Sequence, residues 1–245
     1  MTKRQKPRVK RDALVWERPE AANRPVLTPL SRDRIIRAAI AIADKDGLTS
    51  VSFRNVGAAL GAGPMRLYGY VATKEELLEL MVDAVYGEMA SAGPIGGDWR
   101  EALCSIAHRT RRAAGKHKWF IDLLGGRPHL GPSALAHLEA SLAALCDTPG
   151  FEDIDAAMHA VRTINAYVIG AIRGEASELR AELESGMDEA AWQTASWPYI
   201  HRMIATGRFP MLAKMVRDAT HPSPDVVFDK GLDCVLDGIA ARLRR

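Results

Sequence analysis

Apolar residues recur along this chain at helical spacing, and no strand-like alternation lasts more than a few residues. Ser31 stands as an N-cap before a helix ending near Asp46. Ile35, Ala39 and Ile42 form its stripe, widened by Ile36, Ile40 and Ala43, and Gly47 stops it. Residues 53–60 form a short helix with Val56, Ala59 and Leu60 inward, flanked at its start by Thr49 and Ser52. Gly61-Ala62-Gly63 breaks it, and Pro64 opens another helix at the one position where a missing N–H costs nothing. Thr73 and Glu76 have capping-box spacing ahead of an apolar helix (Leu77, Leu78, Leu80, Met81, Val82, Val85) that reaches about Ala90. Gly93-Pro94-Ile95-Gly96-Gly97 marks a module boundary. Further helices are expected near 98–115, 118–125, 132–147, 152–182, 188–206 and 224–243, so the fold class is all-α.

The segment from Ser52 to Tyr70 carries the functional signal. Two short helices joined by a glycine-rich turn make a helix-turn-helix, which places its second helix in the DNA major groove. Charge agrees with this. The net charge of +3 divides into +5 over residues 1–30, +4 over 31–74 and −6 over the remainder. Positive charge therefore collects around the motif, where it binds phosphate by releasing counterions. Residues 1–28 read as a disordered basic arm with Lys3, Arg4, Lys6, Arg8, Lys10 and Arg11, and residues 1–11 are expected to add affinity through phosphates or a minor groove. A solubilising tail is the plain alternative. Trp16 in that arm either docks on the folded body or is a chance aromatic.

Three well-separated cysteines (Cys104, Cys146, Cys234) point to reduced thiols in a cytoplasmic setting, in packing roles. No apolar run approaches the roughly 20 residues of a membrane span, and no apolar stretch follows the basic N-terminus as a secretory signal would require. The sequence has no H-E-x-x-H, G-x-S-x-G, P-loop or paired-cysteine motif, and Gly61-x-Gly63 follows no strand. An enzyme is thereby disfavoured. His108, His129, His137 and His159 lack metal-ligand spacing, so neither a metal nor a cofactor is expected.

Arg54-Asn-Val-Gly-Ala-Ala-Leu-Gly61, followed by Leu67-Tyr68, Val71, Lys74 and Leu77-Leu78, resembles the tetracycline-repressor (TetR) family of regulators. Gly69 departs from the pattern, since relatives carry a larger residue there. Asp98-Trp99, Leu124-Gly-Gly-Arg-Pro128 and the final helix from Phe228 resemble the family's ligand domain more loosely. The resemblance implies a helix-turn-helix domain at 29–73. A ligand-binding and dimerisation domain would cover 74–245, joined through a connecting helix at 74–90. It also implies a homodimer bound to a palindromic double-stranded DNA operator, with helices near 152–175 and 224–243 pairing across the dimer, and release by a small-molecule effector. Repression is the family's usual mode, although activation is compatible with the same residues. A ligand-free architectural DNA-binding protein would leave over 150 residues unexplained.

The residues assigned to DNA by the resemblance are Arg54, Pro64, Met65, Arg66, Tyr68, Tyr70 and Lys74. Arg54 reaches a guanine edge or else a phosphate. Arg66 is the main candidate for sequence readout, Met65 suits a thymine methyl, and Tyr68, Tyr70 and Lys74 suit phosphates. Leu67 and Val71 pack inward. The candidate effector pocket is lined by Trp119, Phe120, Leu123, Met158, Arg162, Asn165, Tyr167, Trp192 and Trp197. Core packing competes for the tryptophans and Met158, and a polar dimer contact competes for Arg162 and Asn165. In the tetracycline repressor a histidine precedes the Leu-Gly-x-Arg-Pro turn and a glutamate lies on a later helix. Here those places hold Leu123 and, near the second, Gly174 beside Glu175, so magnesium–tetracycline is not the expected effector.

Overall fold

A computed structural model describes residues 14–18, 30–146 and 148–243. All regular structure among them is helical. The chain forms two compact units, residues 1–148 and 149–245. In the first lie α1 (Arg32–Asp46), α2 (Phe53–Ala59), α3 (Pro64–Leu67), α4 (Lys74–Ala90), α5 (Trp99–Lys116) and α6 (Pro132–Cys146). The second holds α7 (Ile154–Ser185), α8 (Glu189–Ala205), α9 (Pro210–Asp218) and α10 (Pro224–Leu243).

Local chemistry sets most helix starts. Ser31, Ser52, Thr73 and Asp98 each accept a hydrogen bond from the backbone N–H three residues on, satisfying one of the donors that a helix N-terminus leaves open. The α1 stripe is shifted slightly from the expected one. Ile35, Ala39, Ile40 and Ala43 are buried, while Ile36 and Ile42 are only half-buried. In α2 the buried pair is Val56 and Gly57; Ala59 is exposed and Leu60 half-buried, because the helix ends at Ala59 and the chain turns away.

Helix α4 is the spine of the first unit. It packs against α1 on one side and against α5 and α6 on the other, burying Leu77, Leu80, Met81, Val82, Val85 and Met89. One helix thus serves both the α1–α3 segment and the first part of the body. The glycine-rich stretch at 93–97 connects α4 to α5 without dividing the unit. Arg109 of α5 reaches back to it, donating to Gly93 O at 2.6 Å and Pro94 O at 2.9 Å. The start of α6 is capped from another element: Asp83 of α4, itself buried, accepts from Ala134 N at 2.9 Å. A Cβ at Gly131 would overlap that carboxylate, so the close approach requires glycine there.

Two elements differ from expectation. The stretch 118–125 yields only a single 3₁₀ turn, Phe120–Leu123, since Gly125 takes a left-handed φ of 86° and Pro128 follows. Helix α9 lies between 206 and 224, where no helix was expected; Pro210 occupies its first position and starts it.

In the second unit, α7 and α10 pack together through Ala157, Ala160, Val161, Ile164, Val168 and Ile172 on one side and Phe228, Leu232 and Leu236 on the other. Tyr167 donates its hydroxyl proton to Phe228 O at 2.7 Å, fixing the pair. Neither α8 nor α9 has a buried residue in the single chain.

Candidate nucleic-acid interface

Four local features shape the reading element. Ser52 caps α2 through Asn55 N, and the Asn55 side chain donates to Ser50 O at 2.8 Å, fixing the entry. At the exit Gly61 takes a left-handed φ of 62°, and Ala62 N donates back to Gly57 O at 2.8 Å. Gly63 stays extended and Pro64 starts α3, a helix of four residues. Leu67 and Val71 are fully buried, which fixes the rotation of α3 about its axis.

That rotation turns Pro64, Met65 and Arg66 into solvent, with Met65 81% exposed. Arg54, at the start of α2, is exposed as well. The Tyr68 ring stacks on Phe53 with centroids 4.5 Å apart, so its orientation is set by α2 while the side chain stays exposed. Tyr70 is half-buried, and Lys74 is the half-buried first residue of α4. All seven residues assigned to DNA therefore lie on or beside one short element, within a segment of 21 residues.

The base of the reading head is braced by Glu76. Its N–H donates to Thr73 Oγ1 at 3.1 Å, and its carboxylate accepts from Ala72 N at 2.8 Å and pairs with Arg18. Burial alone would raise this carboxyl, but the Arg18 and Ala72 hydrogen bonds outweigh it and hold Glu76 below the usual carboxylate range. Arg18 belongs to residues 14–18, inside the stretch expected to be a disordered arm. There Val15–Glu17 form a 3₁₀ turn in which Val15 is buried and Trp16 only half-buried. Residues 1–13 and 19–29 of the expected arm lie outside the described residues.

Sequence reasoning missed the cluster that ties the reading head to α4 and α5. His117 is 2% exposed, with Nδ1 2.8 Å from Asp44 Oδ1 on α1 and Nε2 3.1 Å from Glu88 Oε2 on α4. The Trp119 indole N–H donates to the same Asp44 oxygen at 2.7 Å, and Lys116 donates to Glu88 at 2.5 Å. Partners 73 and 75 residues apart leave no local signature.

The residues assigned to an effector pocket divide between the units. Trp119 and Phe120 are buried and Leu123 is half-buried in the first. Phe120 lies against the Tyr86 ring at 5.7 Å, and Tyr86 lies 5.3 Å from the His137 ring. Burial, then the Arg109 charge, lowers the His137 pKa. In the second unit Met158 and Tyr167 are half-buried, while Arg162, Asn165, Trp192 and Trp197 are exposed. Two surface cavities lie within single units and use none of these residues. One of about 390 Å³ is lined by Phe151, Asp153, His159, Ile239 and Leu243, and one of about 150 Å³ by Glu88, Met89, Arg109 and Lys116.

The family described as "Tetracyclin repressor-like, C-terminal domain" matches residues 94–243. This chain belongs to the TetR family. It is 37% identical over 230 residues to the HTH-type transcriptional repressor DrrR1 of Streptomyces coeruleorubidus, covering 92% of this chain and 83% of the relative. It is 27% identical to the tetracycline repressor of class A from transposon 1721 of Escherichia coli, over 88% of this chain and 93% of the relative. Apo ActR of Streptomyces coelicolor has a similar structure, with a TM-score of 0.74 and 25% identity over 89% of this chain and 98% of that one. ActR in complex with actinorhodin gives a TM-score of 0.72 at 25% identity, over 89% and 100%.

A TetR-family member of this type is an all-α, ligand-responsive transcriptional regulator. The Leu123 side chain carries no metal-donor atom, and no cluster of three or more His, Cys, Asp or Glu side chains that could hold a metal ion is present among the described residues. No helix among them is long and apolar enough to cross a membrane.

Proposed function

We propose that the protein is a repressor that holds an inverted-repeat operator as a homodimer and lets go when an organic effector binds without a metal. The observation carrying the DNA reading is the division of α3. Its Leu67 side is locked into the core while Pro64, Met65 and Arg66 project as a group. Arg66 and Arg54 supply the forked donors that guanine's two major-groove acceptors match, and Met65 supplies an apolar tip for a thymine methyl. Tyr68, Tyr70 and Lys74 flank this tip at phosphate height and set register.

The homodimer is supported by apolar surface that a monomer would leave in water. Trp192, Trp197, Tyr199, Phe209, Met211 and Met215 of α8 and α9 are all exposed, as is Val227 of α10. Exposed apolar side chains in such number favour burial against a second chain. The effector reading takes its support from the relatives, since ActR is seen with actinorhodin bound. In the first unit the aromatic residues Trp119 and Phe120, with Tyr86 beside them, supply apolar faces for such a molecule.

The direct experiment selects bound fragments from the source genome with purified protein. The expected outcome is an inverted repeat with half-sites one helical turn apart, or a multiple of it. Enrichment of no common sequence at low salt would overturn the proposal.

A further inference from the structure

Helix α5 carries three cations on one face. Arg109, Arg112 and Lys116 are spaced i, i+3 and i+7, and all three line the cavity of about 150 Å³ that α5 shares with the end of α4. They differ in how far they are engaged. Arg109 is 9% exposed and is held by Gly93 O and Pro94 O, neither of which carries a charge. Lys116 pairs with Glu88 of α4. Arg112 is exposed and makes no hydrogen bond or ion pair among the described residues. Glu88 is the one acid among the described residues that line the cavity. Burial would raise its carboxyl, but the hydrogen bonds from Lys116 and His117 outweigh this and hold it below the usual carboxylate range. Glu88 therefore offsets one of the three positive charges and leaves the lining at +2. Met89 and Ala113 supply apolar wall beside the cations.

We infer that this cavity is a binding site for a small organic carboxylate, with Arg112 and Lys116 gripping its anionic end and Met89 and Ala113 receiving a short apolar body. The site shares no residue with the aromatic group around Tyr86 and Phe120, and it stands apart from the DNA reading. Three features select this class of ligand. The planar fork of a guanidinium matches a carboxylate through two parallel hydrogen bonds, and the Arg112 fork is unengaged. The cavity is smaller than the roughly 300 Å³ at which pockets for drug-sized molecules begin, so its occupant is small. An inorganic phosphate is polar on every side and gains nothing from the apolar wall. A DNA phosphate is excluded by position, because Glu88 lies fourteen residues beyond Lys74 on α4, about 21 Å along the helix. The grip of Arg109 on the two carbonyls fastens α5 to the chain just after α4, so the cavity is formed before a ligand arrives. Glu88 is the internal competitor: an entering carboxylate takes its place on Lys116 while His117 retains it.

The test is an NMR titration of the full chain with butyrate, followed through the butyrate methyl signal at constant ionic strength and without DNA. Butyramide serves as the uncharged counterpart of the same shape. Saturable binding of butyrate and none of butyramide is expected. Arg112→Gln is expected to weaken butyrate binding about tenfold, the loss of one charge-assisted hydrogen-bonded partner. Since Arg112 is exposed and unpaired, that variant keeps the fold. Glu88→Gln removes the competitor and is expected to tighten binding severalfold. Lys118→Gln removes an exposed charge outside the cavity and is expected to change nothing. Equal binding of butyrate and butyramide, no saturation, or equal losses in the Arg112 and Lys118 variants would overturn the site. Displacement of butyrate by an equal concentration of inorganic phosphate would overturn its assignment to an organic carboxylate. With no DNA in the tube, each of these outcomes leaves the DNA-binding reading where it stands.

Discussion

Arg66 and Lys74 are two cations a few residues apart for which different parts on DNA are proposed. Arg66 projects from the tip of α3, while Lys74 sits half-buried at the start of α4. Arg66→Ala is expected to cost about 1–3 kcal/mol on the selected operator and little on random duplex. Lys74→Ala should weaken both about equally, and competition titrations on the two duplexes separate these outcomes. A second residue-scale effect belongs to Tyr86. Burial, then the nearby Asp83 charge, pushes its pKa up to about 12. The phenol keeps its proton in the folded chain over a range where the unfolded chain has lost it. Stability is therefore level below pH 10 and falls between pH 10 and 12, by roughly 2–3 kcal/mol in all. Tyr86→Phe should flatten that part of the stability profile in urea titrations.

At the scale of elements, α4 organises the first unit because three neighbours depend on it. It receives α1 through the His117 cluster, supplies the Asp83 cap to α6, and packs on α5. Asp44→Ala would leave both the Trp119 indole N–H and His117 Nδ1 without their shared acceptor. Two buried polar groups left unsatisfied cost about 2–4 kcal/mol together. The expected result is a lower denaturant midpoint with an unchanged slope, and looser operator binding, since α1 carries the reading head. Elements are also where the sequence was most readable. Ser31 and Thr73 with Glu76 announce their helices by local hydrogen-bonding chemistry, and the observed starts coincide with those caps. The stretch 118–125 misled because aromatic residues gave it helical weight that its glycines removed. Helix α9 was not expected because it is short and no capping side chain announces its start. The inward set of α2 was misjudged by extending the helix one residue too far. The inward packing of Leu67 and Val71 was legible since their spacing is local; the Asp44–His117–Trp119 cluster was not, since its members meet only after folding.

For the whole molecule, the exposed face of the second unit sets the assembly expected. Val227 is 54% exposed on α10, away from Phe228, Leu232 and Leu236, which pack on α7. Val227→Arg places a charge on that outer face. It is expected to raise the dimer dissociation constant at least tenfold in sedimentation equilibrium while leaving helix content unchanged. Because a pair of reading heads is needed to span two half-sites, the same variant should lose affinity for the inverted repeat and retain it for an isolated half-site.

The hydrogen bond from Trp119 to Asp44 has an optical consequence. An indole that is 3% exposed is shielded from water, and it emits from the joint between α1 and α5. Any effector that swings the head away from that joint would wet the ring and redden its glow. With the other four tryptophans replaced by phenylalanine, the untagged protein would then report its own release in a cuvette, with no dye and no DNA present.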